Sequence, residues 1–490
     1  MIESIQLDKE AKKYLYQQLY SQLKNLILTG ELEVDTKLPP IRKLAHQLGV
    51  NNVTVVKAYD LLAEEDLVYK KVGSGTFVAP VNGQVNNNQQ QSNLDEQVYI
   101  DEDSKFVQQE DTINFATGAP TPDLFPIAPF KRLMNKVLER DRGYAFGYQK
   151  SQGYYPLRET IVDYVAQYNI KTTAERVQIV SGAQQGIDIL AKTFLDYGDT
   201  VFVERPTYPG AISVFKSRRA NIVEIPMGPK GINLEILAEK LQNYQPSFLY
   251  LMPNFQNPTG YSYPEEKKRK LLKLAKQYDL RILEDDCLND LNYSGQTSVT
   301  LKSLDKNNNV IYLKSFSKVF MPGLRLAFLL VPQADYEDIL MSKYLSDIFT
   351  DGLVQRVLEL YFKEEVWEQQ IKKLKQTYKN RYQTMVSALK EYCPTQVDYN
   401  FPQGGLNFWL ELPQDLNDQK LQKLALEQGV NTAPGTVFYV NNPQHNKLRL
   451  SIAAVKEDEI EKGIKILGTV IKKIMEDNDY SIDKSIFPIV

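Results

Sequence analysis

"NVIYLKSFSKVFMPGLR", residues 309 to 325, joins an apolar run to a lysine and then to a turn that ends in arginine. The run is short, continuous and rich in β-branched and aromatic residues, as a buried strand is. Pro322 and Gly323 mark a tight turn after it. Ser315, Ser317 and Arg325 can therefore gather around one anion close to Lys318. A phosphate beside a reactive amine points to pyridoxal 5'-phosphate held on Lys318 as a Schiff base.

Such a cofactor makes further demands, and each has a candidate. A carboxylate must pair with the ring nitrogen so that the ring draws electrons, and "LRILEDD" delivers Asp285 at the end of a strand. The flat ring needs a stacking partner, which Tyr208 in "ERPTYPG" supplies. The phosphate also needs backbone donors, and "VSGAQQG" sets Gly182, Ala183 and Gln184 at a strand-to-helix turn. Asn257 in "PNFQNPTG" is a donor for the ring hydroxyl.

Working outward, the strand-like runs "RVQIVSG", "TVFVERP", "SFLYLMP" and "LRILEDD" alternate with helical stretches such as "EEKKRKLLKLAKQYD". That alternation predicts an α/β domain with a mostly parallel sheet. From about residue 380 to 478, "GGLNFWLEL" and "KLRLSIA" among helices predict a smaller α+β lobe. The 490-residue length suits one large domain plus a smaller unit, and 43% hydrophobic with 24% charged residues is ordinary for a globular protein. Two cysteines, Cys287 and Cys393, and two histidines leave no disulfide framework, no Cys/His metal cluster and no histidine-based triad. The absence of an apolar run of membrane-spanning length or of a signal-peptide core gives a cytoplasmic expectation.

Residues 81–111 are polar, acidic and poor in large aliphatics, the composition of a flexible linker. Before it, Leu15, Leu19, Leu23 and Leu26 repeat at helical spacing. In "LPPIRKLAHQLGV", Ile41, Leu44, Ala45 and Leu48 share one face. After Gly49, Val55, Ala58, Tyr59 and Leu62 share a face of the next helix, which makes a helix-turn-helix. "VYKKVGSGTFVAP" then reads as a two-stranded wing with Gly75 in its turn. If the second helix enters the major groove, Asn51, Asn52, Val53, Val56 and Lys57 point away from the core, with Thr54 at the edge. Arg42, Thr54 and Lys57 then meet phosphates, Asn52 suits adenine, and Val53 or Val56 suits a thymine methyl. Residues 1–80 hold ten Lys/Arg and ten Asp/Glu, so long-range attraction to DNA is weak unless the domain is dimerised.

The LPxxRxLA, TVxxAYxxL and GSGTFV segments make residues 1–80 resemble the winged helix-turn-helix of the GntR family. From residue 112 to 478 the chain resembles a fold-type I, class I/II aminotransferase, and residues 479–490 form a tail. The two together resemble the MocR subfamily of GntR regulators. The resemblance implies the internal Schiff base for Lys318, the pyridinium for Asp285, stacking for Tyr208, the ring hydroxyl for Asn257, and phosphate for Ala183, Gln184, Ser315 and Arg325. It also implies that Arg449 grips an effector carboxylate, that Gly118 lies beside the effector, and that Tyr148 reaches the phosphate of a partner subunit. A homodimer with domain exchange, a cis Asn257-Pro258 bond, an operator in double-stranded DNA and an amino-acid or amine effector follow from it. A regulator that senses pyridoxal phosphate or an amino compound joined to it is the leading expectation. A working aminotransferase with a DNA-binding appendage is the alternative, and a cofactor-free dimerisation scaffold is the third.

Overall fold

The computed structural model describes residues 7, 14–28, 32, 36–64, 67–71, 75–78, 112–295, 298–441 and 443–482. The linker 81–111, the wing turn 72–74 and residues 483–490 lie outside the described residues. The chain divides into two units, Met1–Val107 and Gln108–Val490.

In the first unit, helices α1 (Leu15–Leu28), α2 (Ile41–Leu48) and α3 (Asn52–Glu64) precede strands β1 (Val68–Lys71) and β2 (Gly75–Val78). Leu19, Leu23, Leu44, Ala45, Val55, Ala58, Tyr59 and Leu62 form the core, as their spacing requires. Ile41, at the first position of α2, is an exception: it is exposed. Gly49, at φ 61°, closes α2 in the left-handed conformation that glycine adopts without strain. Asn51 starts α3, its Oδ1 accepting from the Val53 amide at 3.1 Å. The Tyr59 hydroxyl donates to the Pro39 carbonyl at 2.8 Å and fixes the approach to α2. Strands β1 and β2 pair antiparallel, with Lys71 opposite Gly75, and the Leu38 amide joins β2 at Thr76.

The second unit holds an eight-stranded sheet. Its strands, in chain order, are β4 (Val177–Val180), β5 (Thr200–Arg205), β6 (Asn221–Gly228), β7 (Gly231–Ile232), β8 (Pro246–Leu251), β9 (Ile282–Asp286), β10 (Val310–Ser315) and β11 (Ala327–Leu330); β3 is the short Ile113–Asn114. The spatial order is β4-β11-β10-β9-β8-β5-β6-β7, parallel through the centre, with β11 antiparallel to both its neighbours. Both faces are covered, so the strands read as continuous apolar runs.

Register decides which side each polar residue takes. Leu313 lies opposite Asp285, and Tyr250 opposite Leu283, so Tyr250 and Asp285 share a face with Leu313. Glu284 and Asp286 turn to the other face, beside Tyr312 and Lys314.

The smaller lobe is a four-stranded antiparallel sheet, ordered β12 (Asp398–Tyr399), β13 (Asn407–Glu411), β16 (Lys447–Ser451) and β15 (Ala433–Pro434). Helices Val366–Tyr392, Asp418–Glu427 and Glu457–Ile482 cover it. The last of these carries order through residue 482. The lobe also recruits chain from outside the expected 380–478 span: β3 pairs with β14 (Val430–Asn431), and the Ser451 amide donates to the Phe115 carbonyl. That pairing draws residues 113–118 across to the site.

Candidate cofactor and effector site

The site forms where parallel strands end, the usual crevice of an open α/β sheet. Strand β4 ends at Val180, Gly182 makes the turn at φ 93° and ψ 165°, and the helix Ala183–Phe194 begins. A Cβ on Gly182 would lie 2.4 Å from Arg325 Nη2, so the guanidinium rests on the glycine at the head of the helix. Arg325 itself sits at φ 52°, where the turn after Pro322 aims it back toward β4. An arginine fork and the free first amides of a helix meeting at one point make an anion cradle. Ser181 is braced beneath it through Asp347 and Thr350.

Lys318 follows β10 and is half-buried. A Cβ on Gly118 would lie 3.4 Å from Lys318 Nζ, so glycine keeps open the space beside the amine. Asp285 is 3% exposed, its Oδ2 accepting from the Tyr250 hydroxyl at 2.8 Å. Its Oδ1 is buried with no hydrogen-bond partner. Burial pushes the Asp285 carboxyl up to about 6, against the Tyr250 hydrogen bond and the Lys314 and Lys318 charges, which hold it down. An orphaned buried carboxylate oxygen is costly unless a donor is supplied. The protonated ring nitrogen of pyridoxal phosphate is such a donor, so the residues present fit the group.

Tyr208 caps the helix Pro209–Ser217 and contacts Gln184 Oε1 at 3.4 Å, while Gln184 Nε2 donates to the Gly210 carbonyl. The Gln184 side chain is thus engaged with the Tyr208 loop. Ser315 Oγ is buried and accepts from the Ser317 amide at 3.2 Å. Asn257 precedes a cis bond to Pro258, and its Oδ1 accepts from Arg449 Nη1 at 3.2 Å. Arg449 Nη2 donates to the Ala116 carbonyl, and Phe438 lies 5.2 Å beneath the guanidinium. Tyr148 is 90% exposed and packs on Phe349, outside this group.

Two residues that hold the site escaped the sequence reading. Tyr250 orients Asp285; its only signal was one hydroxyl in an apolar strand. Glu204 is fully buried at the end of β5 and receives the Tyr263 hydroxyl, the Met252 amide and Gln256 Nε2. Gln256 in turn receives Thr259, which ties down the turn that carries Asn257. Burial pushes the Glu204 carboxyl up to about 8.

On the first unit, Asn52, Val53, Val56 and Lys57 are exposed on α3, and Thr54 is half-buried, a continuous face free of core contacts. Asn51 is exposed but its carbonyl and side-chain oxygens are spent on capping. Lys57 Nζ lies 5.3 Å over the Tyr16 ring. Arg42 lies within α2, and Gly75 opens β2.

Residues 110–467 match the family described as aminotransferase class I and II, and the chain belongs to it. The crystal structure of LysN, an alpha-aminoadipate aminotransferase of Thermus thermophilus complexed with N-(5'-phosphopyridoxyl)-L-leucine, is 34% identical with a TM-score of 0.71. That match covers 75% of this chain and 94% of LysN. Residues 15–78 match the family described as bacterial regulatory proteins, gntR family, so the chain is a GntR-type regulator module fused to an aminotransferase-like unit. Relatives that span both parts include the probable rhizopine catabolism regulatory protein MocR of Rhizobium meliloti, 26% identical over 98% of each chain. Another is the uncharacterized HTH-type transcriptional regulator YdfD of Bacillus subtilis, 29% identical over 95% of this chain and 98% of YdfD.

Proposed function

We propose that this chain is a DNA-binding transcription regulator whose aminotransferase-like unit holds pyridoxal 5'-phosphate at Lys318 and senses it, or an amino-acid-like effector joined to it. The observation that carries the reading is the buried, unpartnered Asp285 Oδ1 at the sheet edge that also carries Lys318. When bound, the cofactor supplies a carbonyl that condenses with amines and a ring that withdraws electrons. Lys318 Nζ tethers it, Asp285 faces its ring nitrogen, and Tyr208 stacks on its ring. Arg325 with the amides of Ala183 and Gln184 takes its phosphate. Ser315, close by at the end of β10, completes that cradle.

Arg449 selects the effector. Its guanidinium is held at one edge by Ala116 and Asn257 over the Phe438 ring, a geometry suited to a carboxylate fork. Gly118 leaves room for the atoms between that carboxylate and Lys318 Nζ. Tyr144, Phe146 and Tyr148 are all exposed on one short stretch, which supports a homodimer in which Tyr148 completes the phosphate cradle of the partner subunit. Domain exchange, an operator read by Asn52, Val53 and Lys57 with Arg42, and a cytoplasmic location belong to the same reading. Regulation follows by linkage: an effector that favours one dimer geometry shifts the population toward it, by no more than its differential affinity.

The complete set of Lys318, Asp285, Asn257 and Arg449 also favours a second reading, an enzyme that converts an amino acid to its 2-oxoacid. In that case Lys318 Nζ moves the proton of the substrate's α-carbon. Visible absorption of the protein with pyridoxal phosphate, followed as amino acids and then a 2-oxoacid are added, separates the two. A lasting spectral shift with an amino acid, and no product, supports a sensor. Formation of the amine form of the cofactor, reversed by the oxoacid, supports an enzyme, and no cofactor band at all contradicts both.

A further inference from the structure

Four residues before Lys318, within β10, Lys314 is 0% exposed. Strand alternation turns it away from Lys318's side of the sheet and toward the face opposite Asp285. There it meets Asp290 Oδ2 at 2.8 Å and Asp286 Oδ1 at 3.4 Å. Three tyrosine hydroxyls close the group: Tyr164 and Tyr168 donate to Asp290 Oδ1 at 2.7 and 2.6 Å, and Tyr312 donates to Asp286 Oδ2 at 2.7 Å. The Tyr168 ring lies 5.7 Å from the ammonium.

An ammonium in this position needs an explanation beyond stability. Burying an ion pair usually gains little over an apolar core of the same volume, so a retained buried charge points to a second task. The enclosure preserves the charge: burial disfavours it, but Asp286 and Asp290 outweigh burial and hold the Lys314 ammonium above its ordinary range. Asp290 is likewise held below its ordinary range, with burial opposed by Lys314 and the two tyrosines. The cluster sets one ammonium against two carboxylates, so the Lys314 charge offsets Asp286, whose carboxylate on the adjoining residue otherwise pushes Asp285 further up. The other ionisable groups facing it are Glu284 and Lys268 on its own side and Cys287 and Lys318 toward the site.

We propose that Lys314 is a positioning residue: its enclosed charge, clamped by Asp286 and Asp290, keeps Asp285 in the anionic form that receives the cofactor's ring nitrogen. The inference rests on the cofactor reading above. It also ties β9, β10 and the helix Tyr155–Ala166 together behind the site, since Tyr164 and the adjoining Tyr168 reach Asp290 from that helix's end.

The test reads Asp285 directly in the cofactor-free protein, through the infrared carboxylic-acid band that Asp285→Asn removes. In the native chain that band is expected to titrate near pH 6. Lys314→Met removes the positive charge and is expected to move the midpoint up by about one unit. Lys314→Met with Asp290→Asn restores the formal balance of the cluster and is expected to bring the midpoint back toward the native value, although the packing stays altered. Asp290→Asn alone, which keeps the ammonium and folds without an unpaired cation, is expected to move it down. If all three variants melt earlier yet titrate where the native chain does, Lys314 is only structural and the inference fails. Pyridoxal phosphate affinity measured against pH on the same proteins is expected to follow the band. No cofactor uptake by the native chain would overturn the cofactor reading, while the infrared midpoints would still decide the role of Lys314.

Discussion

Replacing Gly182 with alanine puts two separable costs on the phosphate cradle. The first is conformational: φ 93° with ψ 165° lies in a region that essentially only glycine occupies, so any side chain there costs about 1 to 3 kcal/mol of stability. The second is steric: the new Cβ would stand 2.4 Å from Arg325 Nη2 and 2.8 Å from its Cζ. The guanidinium is the far end of a flexible side chain, so it moves aside, and in moving it leaves the proposed phosphate position. A hydrogen bond to a charged partner contributes about 1.5 to 3 kcal/mol, so cofactor affinity is expected to fall roughly tenfold to a hundredfold. Gly198 provides the control, since it has φ 84° with nothing within 4 Å of a Cβ. Gly198→Ala carries backbone strain without touching the cradle. Titration of each cofactor-free variant with pyridoxal phosphate, followed by absorbance, together with a thermal melt, measures both costs. Equal affinities for Gly182→Ala and Gly198→Ala would refute the placement of Arg325 over the helix head.

Three further predictions follow from other parts of the molecule. Tyr250→Phe removes the hydrogen bond that favours the Asp285 anion, so cofactor affinity is expected to fall most near pH 6 and least in alkaline buffer; a uniform loss at all pH values would contradict this role. Glu204, raised to about 8 by burial, contributes stability that is full below its ordinary carboxylate range and is lost as pH rises through 8. Urea unfolding should therefore weaken across that window by at most about 1.4 kcal/mol per pH unit, and Glu204→Gln should flatten the decline. Lys57→Ala is expected to weaken DNA binding at every sequence and to lower the salt dependence by about one counterion, as read by fluorescence anisotropy against salt; an unchanged slope would place Lys57 away from phosphate.

The sequence made the site legible because its residues sit at strand ends, where an apolar run stops and a chemically distinctive group follows. Asp285, Gly182, Lys318 and Arg325 all have that form, and register then sets them at one edge. Residues inside strands were harder to place. In a sheet covered on both faces, most positions are apolar, so "SFLYLMP" does not tell which way Tyr250 points, and "IYLKSFSK" gives Lys314 no more weight than a surface lysine. Their roles depend on neighbours in β9 that are distant in sequence. The same holds for β3, whose two residues carry no strand signal and gain their place only from β14. Asn51 shows another limit: the sequence reading set it on the DNA-facing side, and its capping of α3 became visible only in the local hydrogen bonding.

The central claim is that one lysine of the 58 Lys and Arg residues in this chain anchors the cofactor. Incubation of the full chain with pyridoxal phosphate, borohydride reduction and peptide mapping by mass spectrometry tests it directly. The account predicts a phosphopyridoxyl adduct concentrated on Lys318 at stoichiometric cofactor, absent from that peptide in Lys318→Ala. An adduct scattered over surface lysines, or none, would contradict it.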